Sequence, residues 1–161
     1  MKITKLLFFV LFLGQLSCNS QQKKINGISF VASREAINTK HISPVLKAQS
    51  NYIALMPFGF IRELSSPEIA YNTQRQWFGE TRAGLVQYAK IFKEKKLKIM
   101  VKPQIWVWRG EYTGFIEMDS EEKWTVLENS YTAFMLTYAK AAQEINAEIL
   151  CIGTELEKFV L

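Results

Sequence analysis

Ile149-Leu150-Cys151-Ile152-Gly153-Thr154-Glu155-Leu156-Glu157, near the end of a 161-residue chain, is the stretch on which the fold turns. Its four leading apolar residues read as a short buried strand. Gly153 lets the backbone turn, and the carboxylate of Glu155 follows. In a parallel α/β protein the residues just past the C-terminal end of a strand face the ligand crevice. Glu155 is therefore the first candidate for chemistry. Only four residues follow Glu157, so any partner it needs is expected upstream or outside this sequence.

The same alternation of apolar runs and amphipathic segments extends upstream. Ile28 to Ala32 predicts a first strand. Ser43 predicts a helix cap with Pro44 at the first position, and Val45, Leu46 and Ala48 continue that helix. Tyr52 to Met56 predicts a second strand, closed by Pro57. Leu64 to Trp77 has no clean period and reads as a long loop. Thr81 to Lys95 carries Leu85, Val86, Tyr88, Ala89 and Phe92 at helical spacing. Leu97 to Val101 predicts a third strand, closed by Pro103. Gln104 to Asp119 is expected to be a loop, long and more aromatic than a mere connector requires. Ser120 starts a long helix with Trp124, Leu127, Tyr131, Phe134, Met135, Tyr138 and Ala142 on one face, which reads as core packing. Glu148 to Ile152 is the fourth strand.

Strands that alternate with helices imply parallel pairing and right-handed crossovers. Their near-continuous apolar runs suit strands covered on both faces. Two architectures accommodate four such units: a small open sheet, or half of a (β/α)8 TIM barrel. A whole barrel takes about 250 residues, roughly twice what is here. An open sheet would leave the apolar first and fourth strands as unpaired edges, which favours the half barrel of the α/β class.

The N-terminus reads differently. Met1 to Lys5 is short and basic, and Leu6 to Leu13 is apolar but far short of the about 20 residues that span a bilayer. This is a secretory signal layout over residues 1–17. Leu16-Ser17-Cys18 resembles a lipoprotein cleavage box, with Gln15 where an aliphatic residue is usual. Cys18 is the candidate lipidation site; otherwise the chain is simply secreted and Cys18 is an incidental thiol. Residues 18–24 form a polar tether, and 25–161 the domain. The expected location is the bacterial cell envelope, with a lipid anchor holding the protein to the membrane.

Composition excludes several classes. The net charge of +5 falls by two if Lys2 and Lys5 leave with the signal, and the Lys93 to Lys98 cluster most simply complements a helix C-terminus. Nucleic acid is not an expected partner. Two cysteines, one of them Cys18 and the other within an apolar run, form no disulfide framework. A single histidine, His41 in a loop, excludes a His-based zinc site, and no metal or other cofactor is expected.

Three strand ends converge on one face. The second is Met56-Pro57-Phe58-Gly59-Phe60, the third Lys102-Pro103-Gln104-Ile105-Trp106, the fourth Thr154-Glu155. They offer an aromatic wall, a cation with an amide, and a carboxylic acid. That set suits a carbohydrate. Aromatic faces stack on the apolar face of a sugar ring, and amide, Lys and Arg groups bond its hydroxyls. A partly dehydrated carboxylic acid can protonate a glycosidic oxygen.

At these residues a resemblance becomes specific. Ile149 to Glu157 is similar to the fourth-strand motif of glycoside hydrolase family 113, clan A TIM barrels that include retaining endo-β-1,4-mannanases. Ala54-Leu55-Met56-Pro57-Phe58 resembles that family's second strand. Lys98 to Pro103 with Trp108-Arg109-Gly110-Glu111 resembles its third strand and the loop after it. The similarity runs from about Ile25 to Leu161. It implies hydrolysis of a β-linked oligo- or polysaccharide such as mannan, with Glu155 as general acid/base. Lys102 and Gln104 would line a sugar subsite, and Phe58 its aromatic wall. Trp106 and Trp108 read either as stacking platforms or as packing at the barrel top. Glu157 reads as an exposed loop carboxylate. A retaining glycosidase needs a second carboxylate about 5 to 5.5 Å away. The family carries it on a late strand, and neither Glu35, Glu63 nor Glu111 matches it. The chain by itself is therefore expected to be inactive, and a C-terminal half to be a missing partner. The alternative is a non-catalytic carbohydrate-binding or assembly half barrel.

Overall fold

The computed structural model describes residues 24–159. The signal segment, the cleavage box, Cys18 and all of the tether except Lys24 lie outside the described residues.

Four strands make one parallel sheet. They are β1 (Gly27–Phe30), β2 (Tyr52–Leu55), β4 (Lys98–Val101) and β6 (Ile149–Leu150), hydrogen-bonded in the order β1-β2-β4-β6. Two more, β3 (Phe58–Ile61) and β5 (Gln104–Val107), pair in parallel beyond them. The helices are α1 (Ser43–Lys47), α2 (Arg82–Glu94) and α3 (Glu121–Glu144). Each main strand lies beside the next in sequence, the arrangement of the first four units of a (β/α)8 barrel.

One sheet face is buried. Ile53, Leu55, Ile99 and Val101 pack with Leu85, Tyr88, Ala89 and Phe92 of α2 and Leu127, Phe134 and Tyr138 of α3 in a single cluster. Burying a side chain the size of Phe92 or Phe134 contributes about 1.5 to 3 kcal/mol. The other face, which turns inward in a closed barrel, is only half covered: Ala54, Met100 and Ile149 are half-buried and Ser29 is exposed. Parallel register sets Ala54 beside Met100 and Met100 beside Ile149, so these side chains share that face.

Caps and breakers divide the helices. The Thr81 hydroxyl accepts from Gly84 N–H at 3.1 Å, and Ser120 accepts from Lys123 N–H at 3.3 Å. Ser43 does not cap α1. Ile42 holds that position in a helical conformation without a side-chain bond, and Ser43 begins the helix with Pro44 in its first turn.

The prolines do not close their strands. After Pro57 the chain resumes as β3, and after Pro103 as β5. Lys102 N–H donates to Leu55 O at 2.9 Å and Gln104 N–H to Pro57 O at 3.0 Å, so the ladder is carried across the break. Gln104 to Val107 is therefore strand rather than loop. Beyond it two single 3-10 turns, Trp108–Gly110 and Thr113–Phe115, complete the aromatic segment. The fourth strand is shorter than its apolar run predicts. β6 ends at Leu150, Cys151 is half-buried and Ile152 is 75% exposed.

Candidate active site

Alternation fixes which side chains reach the rim. From residue 102 the even positions Lys102, Gln104, Trp106 and Trp108 are half-buried or exposed, while Pro103, Ile105 and Val107 are buried. On the neighbouring strand Met56, Phe58 and Phe60 are half-buried, and Pro57, Gly59 and Ile61 are buried. Register sets Phe58 beside Gln104 and Phe60 beside Trp106. The two extensions thus present one mixed aromatic and polar surface and bury the other. Phe58 meets Trp106 edge-on, with centroids 6.3 Å apart.

Trp106 and Trp108 are 50% and 65% exposed among the described residues. Phe58 and Trp106 share a cleft of about 490 Å³ with Phe60, Trp77 and Glu80. Trp108 borders two adjoining clefts. The one of about 270 Å³ is also lined by Trp77 and Glu80, and the one of about 620 Å³ by Arg62, Glu63, Arg109 and Glu111. Lys102 and Gln104 stand on the same strand face but line none of these clefts.

Glu155 occupies a separate cleft of about 500 Å³ with Tyr112, Tyr131, Thr154, Glu157 and Phe159. Its loop is held from two sides. Tyr131, on α3, donates its hydroxyl to Ile152 O at 2.7 Å. Tyr112, in the segment after β5, donates to Glu157 Oε1 at 2.7 Å. Leu156 is buried, and Phe159 lies edge-on to Tyr131 and stacked on Trp124. Gly114 permits the Tyr112–Glu157 approach, because a Cβ there would sit 2.6 Å from Glu157 Oε2. Glu157 is thus exposed but engaged. Glu155 itself has φ +55°, left-handed backbone that costs a non-glycine residue about 1 to 2 kcal/mol. Five other described non-glycine residues share this region, Gln49, Lys96 and Asn146 among them just past helix ends, so the turn positions Glu155 without marking it as functional.

The tyrosines stay neutral. The bond to Glu157 raises the Tyr112 pKa, helped by lost hydration and by the charges of Glu157 and Glu155. Burial pushes the Tyr131 hydroxyl up to about 12, with the nearby Cys151 thiol adding a little. Both groups act as hydrogen-bond donors. Cys151 is a free thiol with its Sγ 3.3 Å from Gly153 O. His41 is exposed, and its Nδ1 accepts from Asn38 N–H at 3.0 Å.

Three rim residues escaped the sequence reading as site candidates: Trp77, Glu80 and Tyr112. Trp77 ended the aperiodic stretch from Leu64, and Glu80 lies three residues beyond it, between that loop and the helix read from Thr81. No sequence signal marked them, since a capping box needs Ser or Thr at its first position; in the fold Glu80 Oε2 accepts from Trp77 N–H at 3.0 Å.

Parallel β/α units in sequential order, with a carboxylate in the loop after the fourth main strand and aromatic residues past the second and third, define half of a (β/α)8 barrel. The comparisons sharpen this. The family model of Glycoside Hydrolase Family 113 matches residues 31–160. The chain belongs to that family. Among solved structures it is similar to the family 113 β-mannanase AaManA from Alicyclobacillus acidocaldarius, determined in complex with ManMIm. The two share 23% identity with a TM-score of 0.72, over 84% of this chain and 46% of that one. Two structures of a family 113 β-1,4-mannanase, one of them a complex, match at 20% identity and a TM-score of 0.68 over 83% of this chain and 46% of theirs. The chain therefore spans about half the length of the solved structures it matches, and the likeness bears out the half TIM barrel. No curated protein sequence matches it.

Proposed function

We propose that this chain carries the acid/base half of a retaining β-mannanase-like glycoside hydrolase. Glu155 protonates the leaving oxygen and later activates the water that releases the bound sugar. The remainder of the barrel supplies the nucleophile, and the 161-residue chain alone is inactive. The substrate is a β-linked polysaccharide of the mannan type. The observation that carries this reading is Glu155 itself, an exposed carboxylate lining a cleft in the loop after β6 of a family 113 sequence. Lys102 and Gln104 bond sugar hydroxyls, and Phe58, Trp106 and Trp108 stack on sugar faces. The protein acts at the cell envelope, tethered through a lipid on Cys18.

The test is hydrolysis of β-1,4-mannan by this chain joined to the C-terminal half of a family 113 barrel. Release of reducing ends is the expected result. A folded, completed barrel that binds mannan and releases none would sink the catalytic reading. That outcome would favour the second one, a carbohydrate-binding half barrel, for which two exposed tryptophans suffice without any second carboxylate.

A further inference from the structure

The two clefts between Trp77 and the strand extensions share a wall that the chemistry at Glu155 does not use. Trp77, Glu80 and Phe60 line both. Trp77 is 42% exposed, and its indole is steadied by the Arg34 guanidinium 5.3 Å from the ring centroid. Trp106 and Phe58 border the larger cleft and Trp108 the smaller. Glu80 is half-buried. Its Oε2 accepts from Trp77 N–H, and among the described residues its Oε1 has no partner. Glu80 shares each cleft with two tryptophans, and partial burial raises its pKa.

We infer that Trp77 and Glu80 form a distal sugar subsite, in which a pyranosyl residue stacks on the Trp77 indole and donates a hydroxyl to Glu80 Oε1. The ligand class is a β-1,4-linked oligosaccharide long enough to reach here while another unit occupies the Glu155 cleft. Only that choice of sugar rests on the function proposed above. Three observations carry the subsite. The larger cleft, at about 490 Å³, lies within the range of about 300 to 1,000 Å³ typical of small-molecule pockets. Its walls combine four aromatic residues with Val31, Ala32 and Met56, and Glu80 is the one polar side chain among them, which offers a sugar both a stacking face and a hydroxyl acceptor. It is also separate from the cleft of Glu155, so it holds a different unit of the polymer.

The experiment is calorimetric titration of the full chain with β-1,4-mannohexaose, with each variant's far- and near-ultraviolet circular dichroism compared with wild type to establish that it is equally folded. Trp77→Ala should weaken binding about tenfold, the loss of a stacking platform and its buried area. Trp77→Phe keeps a ring and should retain most of the affinity. In Glu80→Gln the amide oxygen can still accept from Trp77 N–H, so the local turn stays intact. That substitution should nevertheless weaken binding about tenfold through loss of a charge-assisted bond. Binding that depends on both residues upholds the subsite whether or not the chain hydrolyses the sugar, which separates this test from that of Glu155. No binding by the wild-type chain, or binding unchanged in folded Trp77→Ala and Glu80→Gln, overturns it.

Discussion

At the scale of single residues, the difference between the two carboxylates of Gly153-Thr154-Glu155-Leu156-Glu157 is backbone and hydrogen bonding. Glu155 sits at φ +55° and points to no partner among the described residues, whereas Glu157 accepts the Tyr112 hydroxyl and rests on Gly114. In a completed barrel, Glu155→Gln should therefore cut hydrolysis of mannan by about a hundred- to ten-thousand-fold, the usual worth of a positioned general acid. Activated aryl glycosides need little protonation, so their bond cleavage should suffer less. Glu157→Gln should be mild, since an amide oxygen can still accept from Tyr112. Steady-state rates on both substrate types check this, and a crippling Glu157→Gln beside a silent Glu155→Gln would reverse the assignment. Glu80 gives a second prediction, on stability. Burial raises its folded pKa above the ordinary 4.5, with the Trp77 N–H bond opposing it. The folded state then holds this proton more tightly than the unfolded chain, so the contribution of Glu80 to stability is fullest below 4.5 and falls as pH rises through the raised value. Glu80→Gln removes that loss. Its melting temperature relative to wild type should climb from acid to neutral pH, and a constant offset would count against a dehydrated Glu80.

At the scale of elements, the prolines carry the lesson. The Met-Pro and Lys-Pro junctions read as strand ends, because proline cannot donate to a ladder. In the fold each proline only interrupts its strand, and Lys102 and Gln104 donate on either side of Pro103 to keep the pairing. The buried alternation of Ile105 and Val107 was available in the sequence but hidden by the tryptophans between them. Helices α2 and α3 were legible, since Thr81 and Ser120 are strong caps and both helices have long periodic faces. α1 was legible in place but not in its cap, where Ile42 offers no oxygen. The end of β6 was not legible, because four apolar residues say nothing about where pairing stops. The left-handed turn at Glu155 was equally hidden, as no glycine marks it. Gly59 tests whether β3 docks on α3 as closely as described. A Cβ there would stand 2.5 Å from Ile69 Cγ2 and 2.9 Å from Phe134 Cε2. Gly59→Ala should cost about 1 to 3 kcal/mol by overpacking, read from denaturant unfolding. A change near zero would mean that the extension is looser against the helix than this geometry allows.

At the scale of the whole molecule, the sheet has a covered side and a bare one. The helices bury Ile53, Leu55, Ile99 and Val101, while Ala54, Met100 and Ile149 are half-covered and Val31 and Ile152 are 74% and 75% exposed. Both outer strands, β1 and β6, have one neighbour each among the described strands. Free edges and exposed apolar surface invite association with other chains. The envelope location is tested separately, by expression with labelled palmitate: the mature band should carry label, and an unlabelled band beside a labelled lipoprotein control would remove Cys18 from the anchor. For the domain itself, residues 25–161 expressed alone should self-associate or melt without cooperativity, since the inner face lacks the opposite wall that closes a barrel of this family. Light scattering coupled to size exclusion gives the mass, and calorimetry gives the sharpness of the transition. Joining the chain to the C-terminal half of a family 113 barrel should restore a monomer with a cooperative melt, because the edges of β1 and β6 then pair and the half-buried side chains become core. A strictly monomeric, sharply melting 25–161 would instead mean that the bare face is stable in water, and would make the open sheet a domain in its own right.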